Sequence, residues 1–364
     1  MLTFPGRVGL QQRILPAYRK PFFDRLAEAC EGGLGVFAGD PRPDESILAG
    51  GHLEHARLAP AHNRHLLRGK AYLCYQRGLT DWLEGWQPDL LVMEANPRLL
   101  SSGAGIRWMH RRGRRVIGWG LGAPTAMRQS WRRALLRRFL RRFDALIAYS
   151  QAGAGLYAAL GIPVERVFVA HNAATPAPPT MPQRPSPSAG PATLLYVGRL
   201  VPQKRVERLL RAGTGLPPGT RLVIIGDGPE RSRLEALAEE LFPSAEFRGP
   251  QTGDTLERSY READLFVMPG TGGLALQQAM CAGLPLVSGR GDGTQADLIT
   301  PANGWILEDE QPEALARVLR EAIADRPRLR RMGEASFQLA RERFNIDVMA
   351  EAFVRAFHAV REAG

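Results

Sequence analysis

Leu194-Leu195-Tyr196-Val197-Gly198-Arg199-Leu200-Val201-Pro202-Gln203-Lys204, followed after one helical stretch by Leu222-Val223-Ile224-Ile225-Gly226-Asp227-Gly228-Pro229, decides the fold. Each stretch is an apolar run of strand length that ends in glycine. Near-continuous apolar strands separated by helices read as a parallel sheet covered on both faces. Sheets of that kind bind ligands beyond the carboxyl ends of their strands. Arg199 and Lys204 stand at such an end, and Gly226 and Gly228 make a turn without side-chain bulk at the next one. The place reads as a crevice for a diphosphate.

The same alternation runs outward in both directions. Before the midpoint, strands are expected at Gly33–Ala38, Asp89–Glu94, Arg115–Gly120, Ala145–Ser150 and Arg166–Ala170. Helices are expected near Lys20–Cys30, Ala71–Glu84, Leu99–Arg111, Arg128–Phe143 and Ala152–Leu160. Residues 173–193 hold seven prolines, a density that neither a helix nor a central strand survives, so they read as a linker. Beyond it, strands are expected at Thr193–Val197, Arg221–Ile225, Ala245–Arg248, Leu265–Met268 and Leu284–Ser288. Helices separate them, and two long ones, near Pro327–Phe344 and Asp347–Glu362, close the chain. The expected fold is α/β, with two doubly wound Rossmann-like domains facing across a cleft, 1–172 and 194–345, and a last segment 346–364.

At 364 residues the chain exceeds the size at which a single core usually stops growing. No apolar run approaches the roughly 20 residues of a spanning helix, and the first residues lack a secretory layout, so a cytoplasmic, reduced protein is expected. Cys30, Cys74 and Cys281 have neither disulfide-framework nor metal spacing, and no metal or cofactor is expected. His52 and His55, like His62 and His65, read as solvated loop residues. Charge is lopsided: residues 1–180 carry 25 Lys and Arg against 13 Asp and Glu, the remainder 23 against 24. Such a basic half points to an anionic surface, or to an arginine-rich composition from a GC-rich genome.

Gly198-Arg199-Leu200-Val201-Pro202-Gln203-Lys204 matches, residue for residue, the Gly-Arg-Leu-x-x-x-Lys pattern of the large retaining family of GT-B glycosyltransferases numbered 4, which the C-terminal half resembles. The resemblance implies that Arg199 and Lys204 are catalytic, stabilising charge on a leaving nucleotide diphosphate, with Gly198, Gly226 and Gly228 beside the donor. It also implies transfer with retention, without a metal, and a last helix that crosses back to the N-terminal domain. Leu265–Met268 then runs into Pro269-Gly270-Thr271-Gly272-Gly273-Leu274, where the amides of Thr271, Gly272, Gly273 and Leu274 are expected to point at an anion. In the family two glutamates flank this helix start; here Gly270 and Gln278 stand in their places, and Gln278 keeps hydrogen-bonding capacity toward a ribose. Asp297 stands where a further glutamate is common and reads equally as a local cap.

On the acceptor side Leu121 replaces the histidine the family usually carries, a second departure. Glu94, Asn96, Trp119 and Gly120 are the acceptor-side candidates, with Gln11, Gln12 and Arg13 weaker ones. In Arg128–Phe143, Trp131, Leu135, Leu136, Phe139, Leu140 and Phe143 gather on one arc and Arg133, Arg137, Arg138, Arg141 and Arg142 opposite. That profile suits a helix lying on anionic lipid through Arg128–Arg142, in which the basic face binds, or a sheet-covering helix with a solvated basic face.

The leading expectation is a hexosyltransferase that moves a sugar from a nucleotide-sugar donor to a hydroxyl of a saccharide, glycolipid or other acceptor, in polysaccharide or glycan assembly at the inner membrane face. A second reading is a catalytically degenerate, nucleotide-sugar-binding partner subunit. A third, nucleic-acid binding through the basic helix, explains the charge but not the crevice, and no specific nucleic acid is expected; another GT-B enzyme such as an epimerase lacks a motif here.

Overall fold

The computed structural model describes residues 2–42, 45, 50–67, 69–123, 130–183 and 190–362. Arg128, at the start of the expected basic helix, and residues 184–189 of the Pro-rich stretch lie outside them. The chain divides into two units, one running to Pro176 and resuming at Ile346, the other Ala177–Asn345.

The first unit contains β1 (Val8–Ile14), α1 (Lys20–Glu28), β2 (Leu34–Gly39), β3 (Arg57–Leu66), β4 (Leu73–Arg77), α2 (Leu79–Trp86) and β5 (Leu90–Glu94). It continues with α3 (Ser102–His110), β6 (Arg115–Gly120), α4 (Ser130–Leu140), β7 (Ala145–Ala148), α5 (Gln151–Ala159) and β8 (Val167–Val169). Its sheet has the order β4-β3-β2-β1-β5-β6-β7-β8. Among the described residues of this sheet only the β3–β4 pair is antiparallel. The two-residue period of a strand sorts side chains to opposite faces. Leu10, Val92, Ile117 and Ile147 face one core, Leu91, Met93, Val116 and Leu146 the other.

The final helix, α13 (Ile346–Glu362), belongs to this first unit and packs on α1. Phe353 is fully buried, its ring 5.1 Å from those of both Phe22 and Trp119. Phe353→Ala is expected to cost about 3–5 kcal/mol by cavity formation, read as a lowered urea midpoint with unchanged slope.

Three local expectations are corrected. The stretch Ala71–Glu84 is not one helix: Leu73–Arg77 forms β4, and a helix follows only after Gly78 at φ +81°. Cys74 and Gln76 point inward while Tyr75 and Arg77 point out, a period of two that a short window hides. β3 went unforeseen because it is polar, pairing with β2 through Arg57–Ala61 and with β4 through His62–Leu66. His62 and His65 thus lie on a strand, with His65 Nδ1 2.9 Å from the Tyr72 hydroxyl. The apolar arc of the basic helix is also split. Leu136 and Leu140 are buried, but Trp131 and Leu135 are 57% and 58% exposed.

The second unit contains β9 (Thr193–Val197), α6 (Val206–Gly213), β10 (Arg221–Ile225), α7 (Arg231–Leu241), β11 (Ala245–Gly249), α8 (Gly253–Glu262) and β12 (Leu265–Met268). After these come α9 (Leu274–Cys281), β13 (Leu286–Ser288), α10 (Gln295–Leu298), β14 (Gly304–Ile306), α11 (Pro312–Ala324) and α12 (Arg326–Glu342). The order is β11-β10-β9-β12-β13-β14, all parallel. Strand order reverses between β9 and β12, the place where a doubly wound sheet opens a crevice at its carboxyl edge.

Candidate functional site

One wall of that crevice is the loop after β9. Tyr196 is fully buried and its hydroxyl donates to the Arg199 carbonyl at 3.0 Å, holding the loop from beneath. A Cβ on Gly198 would lie 2.9 Å from that hydroxyl. The neighbouring turn leans backbone to backbone on this loop: Leu200 N donates to Asp227 O at 2.9 Å. A Cβ on Gly226 would fall 2.0 Å from Gly198 O, and one on Gly228 2.3 Å from Leu200 O. These glycines are required by close backbone approach, and Gly226 adds a φ of +135°. Their effect is to present Arg199 outward, exposed and without a carboxylate partner among the described residues.

The second wall is the glycine loop between β12 and α9. Gly270 lies flat against the Gln203–Lys204 backbone, where a Cβ would come 2.2 Å from Gln203 O and 2.6 Å from Lys204 C. Thr271 N donates to Gln203 O at 3.1 Å, and Lys204 Nζ donates to the Thr271 carbonyl. The amide of Thr271 is therefore spent on the fold, contrary to the expectation that it faces an anion. The amides of Gly272, Gly273 and Leu274 donate to no group among the described residues. Buried Gln295 holds this loop through Nε2 to Gly272 O at 2.7 Å, a support that its position in a polar stretch did not signal. Gln278, one turn into α9, is partly exposed with the Tyr260 hydroxyl 3.4 Å from its Oε1. Its neighbour Gln277 points inward and donates to the Phe344 carbonyl.

Lys204 carries the electrostatics. Burial pushes its amine below the ordinary lysine value, Asp292 partly offsets this, and Arg199 adds to it. No carboxylate pairs with it among the described residues. The nearby acids are engaged elsewhere: Asp292 Oδ1 accepts from Thr294 Oγ1 at 2.6 Å, and Glu310 takes Arg205, Arg208 and the Arg290 amide. Arg205, directly after Lys204, sits at φ +54°, a left-handed backbone that a non-glycine residue adopts at a cost. Glu310 braces it. Two cations free of counter-ions beside unspent amides can hold a dianionic group.

In the first unit, Gln11, Gln12, Arg13, Glu94 and Asn96 do come together at the sheet's carboxyl edge. Arg13 N donates to Glu94 Oε1 at 2.6 Å, and Glu94 N to Gln11 Oε1 at 3.4 Å. Burial raises the Glu94 carboxyl above the usual range, opposed by that amide and by Arg13 and Arg19. Gln76 cross-links the floor, paired with Gln11 and donating to Gln12 O at 3.0 Å. Arg13 is held by Glu45 at 2.9 Å. Asn96 Oδ1 accepts the Arg98 amide at 3.1 Å, which is a turn cap.

Trp119 is corrected: it is 1% exposed, ringed by Phe22, Phe23, Tyr149 and Phe353, and its side chain belongs to the core rather than to an acceptor surface. Gly120 makes room for Tyr157, whose hydroxyl would be 2.7 Å from a Cβ there. Arg19 was overlooked. It is 4% exposed, stacks 4.5 Å over Trp119 and donates to Asn172 Oδ1 at 2.6 Å. No spacing signal marks it in the sequence. Among the described residues no group of three His, Cys, Asp or Glu is placed to hold a metal ion.

Comparison with known proteins gives two family matches. Residues 179–339 match Glycosyl transferases group 1, and residues 25–173 match Glycosyl transferase 4-like domain. A GDP-mannose-dependent alpha-mannosyltransferase of Mycobacterium tuberculosis is 32% identical over 263 residues, 66% of each chain. A second, from Mycolicibacterium smegmatis, is 36% identical over 138 residues, 36% of this chain and 35% of its own length. The matched stretches thus span about two thirds of the first relative and about a third of the second. Among solved structures, Anabaena HepE in complex with UDP superposes with TM-score 0.76 at 18% identity, covering 97% of this chain and 99% of that one. At that identity the likeness speaks for a GT-B fold.

Proposed function

We propose, since the chain belongs to the group 1 glycosyl transferases, that it moves a hexose from a nucleotide diphosphate donor to an acceptor hydroxyl with retention of configuration. The observation that carries the reading is the pair Arg199 and Lys204 at the strand-order reversal, with no ion pair among the described residues and beside a glycine loop whose Gly272–Leu274 amides are unspent among them. As the glycosidic bond of the donor breaks, negative charge grows on the diphosphate. Preorganised cations and amides stabilise that charge without reorganising. Arg199 offers a planar fork to two phosphate oxygens, and Lys204 a point charge from below. Gln278 supplies a neutral partner for ribose hydroxyls, and the Gln11–Arg13 and Glu94 edge of the first unit receives the acceptor, a saccharide or glycolipid.

Calorimetric titration with UDP, GDP and dTDP is the direct test. The mycobacterial relatives are named for GDP-mannose and the HepE structure holds UDP, so these two are the first to compare. Micromolar binding of one nucleotide, lost in Arg199→Ala, is the expected result; no binding of any of them sinks the donor site. Binding is also expected to weaken with rising pH, starting below the ordinary lysine value of 10.5, because Lys204 loses its proton early. Arg199→Lys leaves that pH dependence in place, whereas Lys204→Arg, which stays charged throughout, removes it.

A second reading keeps binding and drops turnover. It is favoured by Gly270, which provides no carboxylate toward the donor sugar. Nucleotide binding with neither transfer nor donor hydrolysis, across a panel of acceptors, selects it.

A further inference from the structure

The core takes only part of α4. Leu136 and Leu140 are buried, whereas Trp131 and Leu135 on the same helix stand in solvent. Spacing of four and three residues places Trp131, Leu135 and Arg138 along one stripe of the helix. The Arg132 guanidinium lies over the Trp131 ring at 5.1 Å. Around the stripe, Arg132, Arg133, Arg137, Arg138, Arg141 and Arg142 have no carboxylate partner among the described residues. Three of them reach backbone carbonyls only: Arg133 to Ala159 O at 3.2 Å, Arg141 to Gly161 O at 3.3 Å and Arg142 to Gly103 O at 3.1 Å.

The positive charge is crowded at the helix's far end. Burial, then repulsion from Arg107 and Arg138, pushes the Arg142 guanidinium below its usual value. Arg107, Arg111, Arg141, Arg142 and Arg166 line a groove there of about 560 Å³. Its acid, Asp144, is already taken by Arg115 at 3.2 Å, His110 at 3.0 Å and the Val116 amide at 2.7 Å. The region therefore joins a Trp–Leu pair in solvent to a row of arginines on and beside α4 without a carboxylate partner on that helix among the described residues.

We propose that this flank of α4 docks the protein on an anionic lipid bilayer. Trp131 and Leu135 enter the interfacial layer, where an indole finds both apolar chains and polar headgroups, and the arginines take lipid phosphates. In the lipid reading of the sequence only the basic face binds; the structure adds the two apolar side chains beside it. A second copy of the chain is a poor occupant, since arginine would meet arginine. A nucleic acid would use the charge but has no use for Leu135. No helix among the described residues is long and apolar enough to cross a membrane, so contact would be peripheral. This inference does not depend on the proposed transfer reaction.

The test is co-sedimentation of the full chain with phosphatidylglycerol-rich vesicles and with pure phosphatidylcholine vesicles. Binding to the first alone is expected. Arg138→Gln with Arg142→Gln should lower the partition coefficient roughly tenfold or more. Trp131→Ala with Leu135→Ala should lower it as well, while leaving the melting temperature unchanged because both side chains are exposed. Brominated acyl chains should quench a fluorescence component that Trp131→Phe removes. Absence of wild-type binding to anionic vesicles overturns the proposal, as does binding that both double variants retain. Tight, steeply salt-dependent binding of duplex DNA without vesicle binding overturns it too, and assigns the arginines to nucleic acid.

Discussion

Lys204→Met is expected to cut sugar transfer by about 10²–10³-fold while leaving the free protein as stable as before, or more so. The reasoning is electrostatic. In the folded chain this amine is desolvated, which Asp292 offsets only in part and Arg199 worsens, and its direct partner among the described residues is the neutral carbonyl of Thr271. A group whose folded pKa is depressed disfavours folding wherever it is still charged, and the penalty fades only as pH rises past its folded value. At neutral pH, removing the charge therefore removes a cost, and methionine keeps most of the apolar stem. Nucleotide binding reverses the sign, because a diphosphate supplies the missing counter-charge. Wild type should gain melting temperature on adding the cognate nucleotide, and Lys204→Met should not. A variant that melts earlier yet keeps full turnover would falsify the assignment and make Lys204 a structural residue.

Gly270→Glu carries the second large effect, and it runs against what family resemblance suggests. Restoring the acidic residue should improve the site if its absence were a simple loss. The backbone says otherwise. Any Cβ at this position meets Gln203 O at 2.2 Å and Lys204 C at 2.6 Å, both main-chain atoms that cannot rotate away. The Val201–Lys204 turn would have to shift, at about 1–3 kcal/mol of stability, and the displaced residue is Lys204 itself. Gly270→Glu should lower the denaturation midpoint and weaken nucleotide binding together. Gly270→Ala should do the same in smaller measure, since the clash begins at Cβ. Gln278→Glu is partly exposed and should stay within about 0.5 kcal/mol of wild type. If Gly270→Glu is as stable as wild type and binds nucleotide more tightly, the close approach is not part of the working site.

Arg199 and Lys204 stand out in the chain because two cations follow an apolar strand that ends in glycine, and the glycines because they mark turns. The purpose of the glycines does not. Gly226 and Gly228 read in the sequence as a turn without side-chain bulk beside a diphosphate, but there, as at Gly270, a neighbouring main chain fills the space a Cβ would take. Trp119 was misplaced for a related reason. A strand end at the carboxyl edge suggests exposure, yet period two points this residue into the aromatic cluster of α1 and α13. Supports such as Gln295 and Glu310 lie far from their partners along the chain, and no local pattern announces them.

By itself the sequence determined the strand–helix alternation, the division at a proline-rich stretch and the pair of cations, because period, apolar content and turn chemistry act over a few residues. Tertiary structure alone decided the strand order, and with it the meeting of the β9 and β12 loops, since pairing of distant strands is written in no window of the chain. It also decided the fate of individual side chains. Polar β3 became a strand by gaining partners on both edges, and Trp131 and Leu135 were left in solvent because the sheet had room for only one face of their helix.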